Sequence, residues 1–118
     1  PTGAGKTYVF ELLVEMGLAS LRSNRADMAL EFFRAALESQ VVQPHHHRLQ
    51  YLALLYAGHT LSLLGATDEA DAYMEKFIGS NPADRQGLCT YARDELSRIT
   101  ANYPDPLPAS ARLDKICR

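Results

Sequence analysis

Between Tyr51 and Pro82 the chain reads YLALLYAGHTLSLLGATDEADAYMEKFIGSNP, with glycine and alanine falling where two helices must touch. Leu52, Leu55, Leu61 and Leu64 recur at helical spacing, and the small residues Ala53, Ala57 and Gly58 sit among them. Gly65 supplies a helix-ending backbone conformation that other residues adopt only at a cost. Thr67 is placed to cap the helix that follows, and Asp68 and Glu69 suit its positive end. The spacing predicts helices over about Arg48–Leu64 and Asp68–Ile78, joined by a turn short enough to force antiparallel neighbours. This is the pattern of a helical hairpin from a repeat protein.

The rest of the chain reads the same way. Val9, Phe10, Leu13, Val14, Leu18 and Leu21 predict a helix over Tyr8–Arg22, ending at the turn-prone Ser23–Asn24. Ala29, Leu30, Phe33, Ala36 and Leu37 give the inner face of a second helix over Ala26–Gln40. Val41–His47 (VVQPHHH) interrupts the periodicity, because Pro44 lacks a backbone donor and restricts Gln43, and a loop is expected there. Gly79–Pro82 closes the fourth helix, and a fifth over about Ala83–Asn102 carries Leu88, Tyr91, Ala92, Leu96 and Ile99. The alternating prolines of Tyr103–Pro108 favour an extended backbone, with Ala109–Arg118 expected as one weak turn or a mobile end. No segment alternates with period two, so the expected fold is all-α, with about five helices in antiparallel hairpins. The expected organisation is a leader at 1–7, a helical domain at 8–102 and a Pro-rich, flexible tail at 103–118.

Composition narrows the partners. A formal charge of −2 supplies no basic stripe for nucleic acid. No apolar run approaches the roughly 20 residues that cross a bilayer, and PTGAGKT lacks the basic and apolar regions of a signal peptide. Cys89 and Cys117 are too few for a disulfide framework and have no CxxC partner, so two reduced thiols in a cytoplasmic or nuclear protein are expected.

Laying the first helix pair on the second reveals an internal repeat. Gly17 aligns with Gly58, Asn24 with Gly65, Ala29 with Ala70 and Phe33 with Met74. A small residue on each helix lets the other approach, and a large apolar residue one turn later fills the space between successive hairpins. This resembles the tetratricopeptide repeat, whose pattern runs W-x2-L-G-x2-Y, then A-x3-F, then P. Leu54, Ala57, Gly58, Leu61, Gly65, Ala70, Met74 and Pro82 fall at the family's spacing in the second copy. Leu13, Met16, Gly17, Asn24, Ala29, Phe33 and Ala36 do so in the first. Both copies lack the opening aromatic, and Ala29 to Ala70 spans 41 residues against about 34 in the family.

The resemblance implies a short right-handed superhelix in which Ala83–Asn102 closes the array. It also implies a non-catalytic adaptor or scaffold whose first helices line a concave, partner-binding face. That face would carry Val14, Leu18 and Leu21, flanked by Glu11 and Arg22, from the first copy. From the second it would carry Leu52, Leu55, Tyr56, His59 and Leu63. It lacks the Lys, Arg and Asn clamp with which some family members hold acidic carboxyl termini, and an amphipathic helix, an extended peptide or a second copy suits it better. Two hairpins and a closing helix make a short stack, which gives homodimer formation or docking on a larger complex a physical motive.

Three stretches invite a chemical reading. PTGAGKT resembles a phosphate loop in which Gly3 and Gly5 form the nest, Lys6 the phosphate cation and Thr7 the magnesium ligand. That reading requires a buried strand before the loop and a second strand ending in a metal-binding acid, and no β-run leads to Asp68, Asp71 or Asp84. His45, His46 and His47 point in different directions as neighbours and lack spaced ligands to complete a metal site. Cys89, His59 and Asp94 supply the residue types of a nucleophile, a base and an orienting acid, but no glycine-rich oxyanion loop surrounds Cys89. No enzyme, cofactor or metal is therefore expected. The alternatives are a fragment of a P-loop nucleotide-dependent enzyme and the regulatory helical domain of a transcription regulator.

Overall fold

The computed structural model describes residues 2–39 and 47–117, with side chains from Val9 onward. Six helices occur among them: α1 (Thr2–Arg22), α2 (Ala26–Glu38), α3 (His47–Leu63), α4 (Thr67–Gly79), α5 (Arg85–Ile99) and α6 (Leu107–Ile116). The fold is all-α, as expected, with one helix more. Val41–His46 of the expected loop lies outside the described residues, as do the side chains of Lys6 and Thr7.

The two hairpins are repeats in backbone geometry. After α1, Asn24 takes a left-handed φ of 60°, and after α3 Gly65 takes 82°. At the first turn Asn24 N donates to Leu21 O at 3.0 Å and Arg25 N to Ser20 O at 2.9 Å. At the second, Gly65 N donates to Ser62 O at 3.1 Å and Ala66 N to Leu61 O at 2.9 Å. Each pair closes a helix by returning orphan carbonyls to the chain just beyond it. Each partner in the first turn has its counterpart 41 positions on, the offset that aligns Ala29 with Ala70.

Within each hairpin the glycine does what the sequence demanded. A Cβ on Gly58 would stand 2.7 Å from Cε of Met74, and one on Gly17 would stand 2.7 Å from Cδ1 of Phe33 and closer still to Cε1. α2 then packs against α3, with the Phe33 and Tyr56 rings tilted at 5.7 Å between centroids. The expected cap at Thr67 is not made: Ala66 is the N-cap, no side chain bonds there, and Thr67 is already helical. Asp84 instead caps α5, accepting from the Gly87 backbone at 3.2 Å.

The C-terminal third differs most from expectation. α5 closes the array from the inside, packing against α3 and α1 rather than extending the stack along α4. The tail expected to be flexible forms α6, which packs against α3 and α5. Proline is well tolerated in a first helical turn, where the missing N–H would have no partner, so Pro106 and Pro108 start α6 instead of preventing it. Ala109, Leu113 and Cys117, spaced by four, are buried.

Cys89 and Cys117 are joined as a disulfide with Cα atoms 5.6 Å apart, which corrects the expectation of two free thiols. Neighbouring rungs on α5 share in fastening α6. Arg85, Cys89 and Arg93 lie one turn apart on a single face. Arg85 donates to the Ile116 carbonyl at 2.7 Å, and Arg93 pairs with Asp114 at 2.9 Å. From the other side Arg112 pairs with Asp71 of α4. The Tyr103 hydroxyl donates to Leu21 O at 2.9 Å, pinning the α5–α6 connection to the end of α1.

Candidate interaction site

The inner side of α1 and α3 is where sequence reasoning placed a partner. Val14, Leu18 and Leu21 on α1 and Leu52, Leu55 and Tyr56 on α3 all belong to one core cluster. The cluster also contains Leu88, Ala92 and Leu96 of α5, Leu113 of α6 and Cys117 at its end. His59 is buried as well, and Leu63 is half-buried at the edge. The expected residues are thus brought together, but under the chain's own C-terminal helices rather than on an open surface. Of the two expected flanking charges, Glu11 is exposed, while Arg22 reaches Glu95 of α5 at 3.4 Å.

His59 is the odd member of this lining. The buried hydroxyls of Thr60 and Thr100 donate to carbonyls one turn earlier in their own helices, each at 2.7 Å. Neither ring nitrogen of His59 has a hydrogen-bond partner, although the side chain is 1% exposed. Burial without a counter-charge lowers its pKa to about 4 from the usual 6.5, so the ring is neutral at physiological pH. Burial also raises the Tyr56 phenol above its ordinary value, with the charges of Tyr91, Glu95 and Glu15 adding to the effect.

Residues 53–84 match the family model for the tetratricopeptide repeat. The chain carries a tetratricopeptide-like repeat. The match takes in most of the second hairpin, from Ala53 within α3 onward, and the 41-residue offset of turn bonds and packing glycines ties the first hairpin to it. No curated protein and no solved structure matches the chain. Tetratricopeptide repeats generally mediate protein–protein contacts and generally lack catalytic activity of their own.

The stretches with chemical promise in this tetratricopeptide-like chain acquire other roles. From Thr2 onward the leader backbone is helical, whereas a phosphate nest needs a loop that curls its amides around the anion. Of the histidine run, His45 and His46 lie outside the described residues, and His47 begins α3 with its ring 6.2 Å from that of Tyr51. Cys89 has no thiol to act as a nucleophile, because its sulfur is bonded to Cys117. Among the described residues no group of three His, Cys, Asp or Glu is placed to hold a metal ion. No helix there is long and apolar enough to cross a membrane. The arginines of α5 divide their work: Arg98 pairs with Glu95 on its own helix at 2.8 Å, while Arg85 and Arg93 hold α6.

Sequence reasoning missed α6 and its packing against α3. The signal that could have found it is the spacing of Ala109, Leu113 and Cys117, an apolar stripe with period four directly after a proline start.

Proposed function

We propose that this protein is an interaction module that accepts an amphipathic helix along the inner side of α1 and α3, with Leu52, Leu55, Tyr56, His59 and Leu63 as its principal lining. The observation that carries this reading is α6 itself. A short amphipathic helix, connected through Pro104–Asp105–Pro106, is seated against α3 with its apolar stripe inward. Helix-in-groove recognition reads such stripes at intervals of three and four residues, and α6 supplies one. Val14, Leu18 and Leu21 deepen the same core from α1 beneath α5.

Site-directed photo-crosslinking tests the placement. A photoreactive residue at Leu63, on the groove edge, should capture a helical partner segment, and one at Leu12, on the outer side of α1, should not. Equal capture from Leu12 would move the interaction off the groove.

A second reading, self-association, rests on a separate observation. Leu12 and Met16 are exposed on α1, whereas their repeat counterparts Ala53 and Ala57 on α3 are buried, with α2 packed alongside. Val9 extends the exposed strip. A second copy covering this strip would make a dimer, and light scattering after size-exclusion chromatography tests it. A monomer at low micromolar concentration would count against it.

A further inference from the structure

We propose that α6 is a tethered ligand of the inner groove and that the Cys89–Cys117 bond is its latch, so that reduction opens the groove to an amphipathic helix patterned like α6. This rests on the helix-groove reading and adds its occupant and its control. The ligand class follows from the contacts α6 makes. Ala109, Leu113 and Cys117 are buried at 1%, 1% and 4% exposure, so a competing helix needs a small residue, a leucine and a compact apolar residue at successive intervals of four. Arg112, immediately before the leucine, pairs with Asp71 at the groove margin, so the same helix needs a cation there. Lys or Arg at that step would distinguish a fitting helix from a merely apolar one.

The latch is placed to matter. It joins the first half of α5 to the residue that ends α6, across 28 positions of sequence. Among the described residues the polar ties between these helices are the half-exposed Arg93–Asp114 pair and the Arg85 bond to the Ile116 carbonyl, beside the apolar packing of Leu88 and Ala92 in one cluster with Leu113. The pair can exchange with water and the Arg85 bond is part-buried, but neither is covalent, so the disulfide alone holds α6 to α5 through an opening fluctuation. Both sulfurs belong to buried residues, so thiol exchange requires the end of α6 to lift. The reductant is a dithiol. Its thiolate attacks one sulfur and forms a mixed disulfide, and the other cysteine leaves as a thiolate and takes up a proton. The second thiol of the reductant then closes onto the first, leaving two protein thiols and one oxidised reductant. Once unlatched, α6 still competes in cis at the high effective concentration of a short tether, so an external helix binds by displacing it.

The experiment uses the full chain and a fluorescein-labelled synthetic peptide with the sequence of residues 105–117, alanine replacing its cysteine. Peptide binding is read by fluorescence polarisation in the oxidised chain, the reduced chain and Cys117→Ser. Amide hydrogen exchange follows α6 in the same samples. Binding should be at least tenfold tighter after reduction and in Cys117→Ser, and the amides of Leu107–Ile116 should exchange at least tenfold faster while those of α1–α4 hold. Leu113→Asp, which weakens the tethered competitor, should tighten peptide binding to the reduced chain about tenfold again. Equal binding to oxidised and reduced chains, or α6 amides that stay protected after reduction, would overturn the latch and leave the groove reading standing. Faster exchange of α6 with no peptide binding in any of the three unlatched forms would overturn the groove itself.

Discussion

Gly17 faces the ring of Phe33 at a distance that leaves no room for a methyl group, and Gly58 faces Met74 in the same way one repeat later. The two contacts are equivalent in topology but not in compliance. Phe33 is fully buried, and its flat ring moves only as a unit, whereas the clash at Gly58 is with the terminal methyl of a thioether chain that has three rotatable bonds. Alanine at either site gains about 1 kcal/mol of helix propensity, set against about 1–3 kcal/mol of overpacking. Gly17→Ala should therefore destabilise the fold by about 2 kcal/mol, and Gly58→Ala by less than about 1. Urea denaturation of the two variants checks the order, and a larger loss for Gly58→Ala would contradict it.

Gly65 offers a cleaner backbone test. A Cβ there would meet nothing within 4 Å, yet its φ of 82° is one that side chains rarely adopt. Gly65→Ala should cost about 1–2 kcal/mol through conformation alone. Gly65→Asn should cost less, because Asn24 already occupies the equivalent turn at φ 60°. Thermal melts of both variants decide whether the turns are as interchangeable as their hydrogen bonds imply.

What could be read from the sequence, and what could not, divides along physical lines. Gly17 with Phe33, Gly58 with Met74, and the turns at Asn24 and Gly65 are local matters, set by spacing and by φ, and the hairpins were legible from them. Leu55 and Tyr56 were legible as inward-facing for the same reason. Whether an inward face is covered depends on where α5 and α6 land, and periodicity within α3 carries no information about that. The disulfide was opaque because Cys89 and Cys117, 28 positions apart, belong to no motif and meet only when α6 packs. α6 was hidden by its prolines, read as chain breakers when two of them stand at a helix start.

Because the disulfide closes a loop across 28 positions of sequence, its loss should be large. A closed loop of this length corresponds to about 3–4 kcal/mol in the chain-entropy account. Cys117→Ser should lower stability to chemical denaturation by about that amount, and reduction of the native chain should produce a similar drop. Most of the loss should fall on the unfolding of α5 and α6, since the hairpins keep their own glycine contacts. Hydrogen exchange resolved by helix checks this division. Equal loosening of α1 and α2 would show that the four hairpin helices depend on the latch after all.

His59 predicts the pH dependence. Its folded pKa of about 4 lies below the unfolded value of 6.5, so the unfolded chain takes up a proton first as pH falls. Well above pH 6.5 the ring is neutral in both states and adds no pH-dependent term. Stability should then fall through the window between 6.5 and 4 at about 1.4 kcal/mol per pH unit. Between pH 7 and pH 5, above the range where most carboxylates titrate, the loss should be about 2 kcal/mol. His59→Leu fills a similar volume without the unpartnered nitrogens, and should flatten that slope while leaving stability at pH 7.5 equal or higher. Denaturation midpoints of both chains across this window test the assignment. An unchanged slope in His59→Leu would mean that another group carries the acid sensitivity.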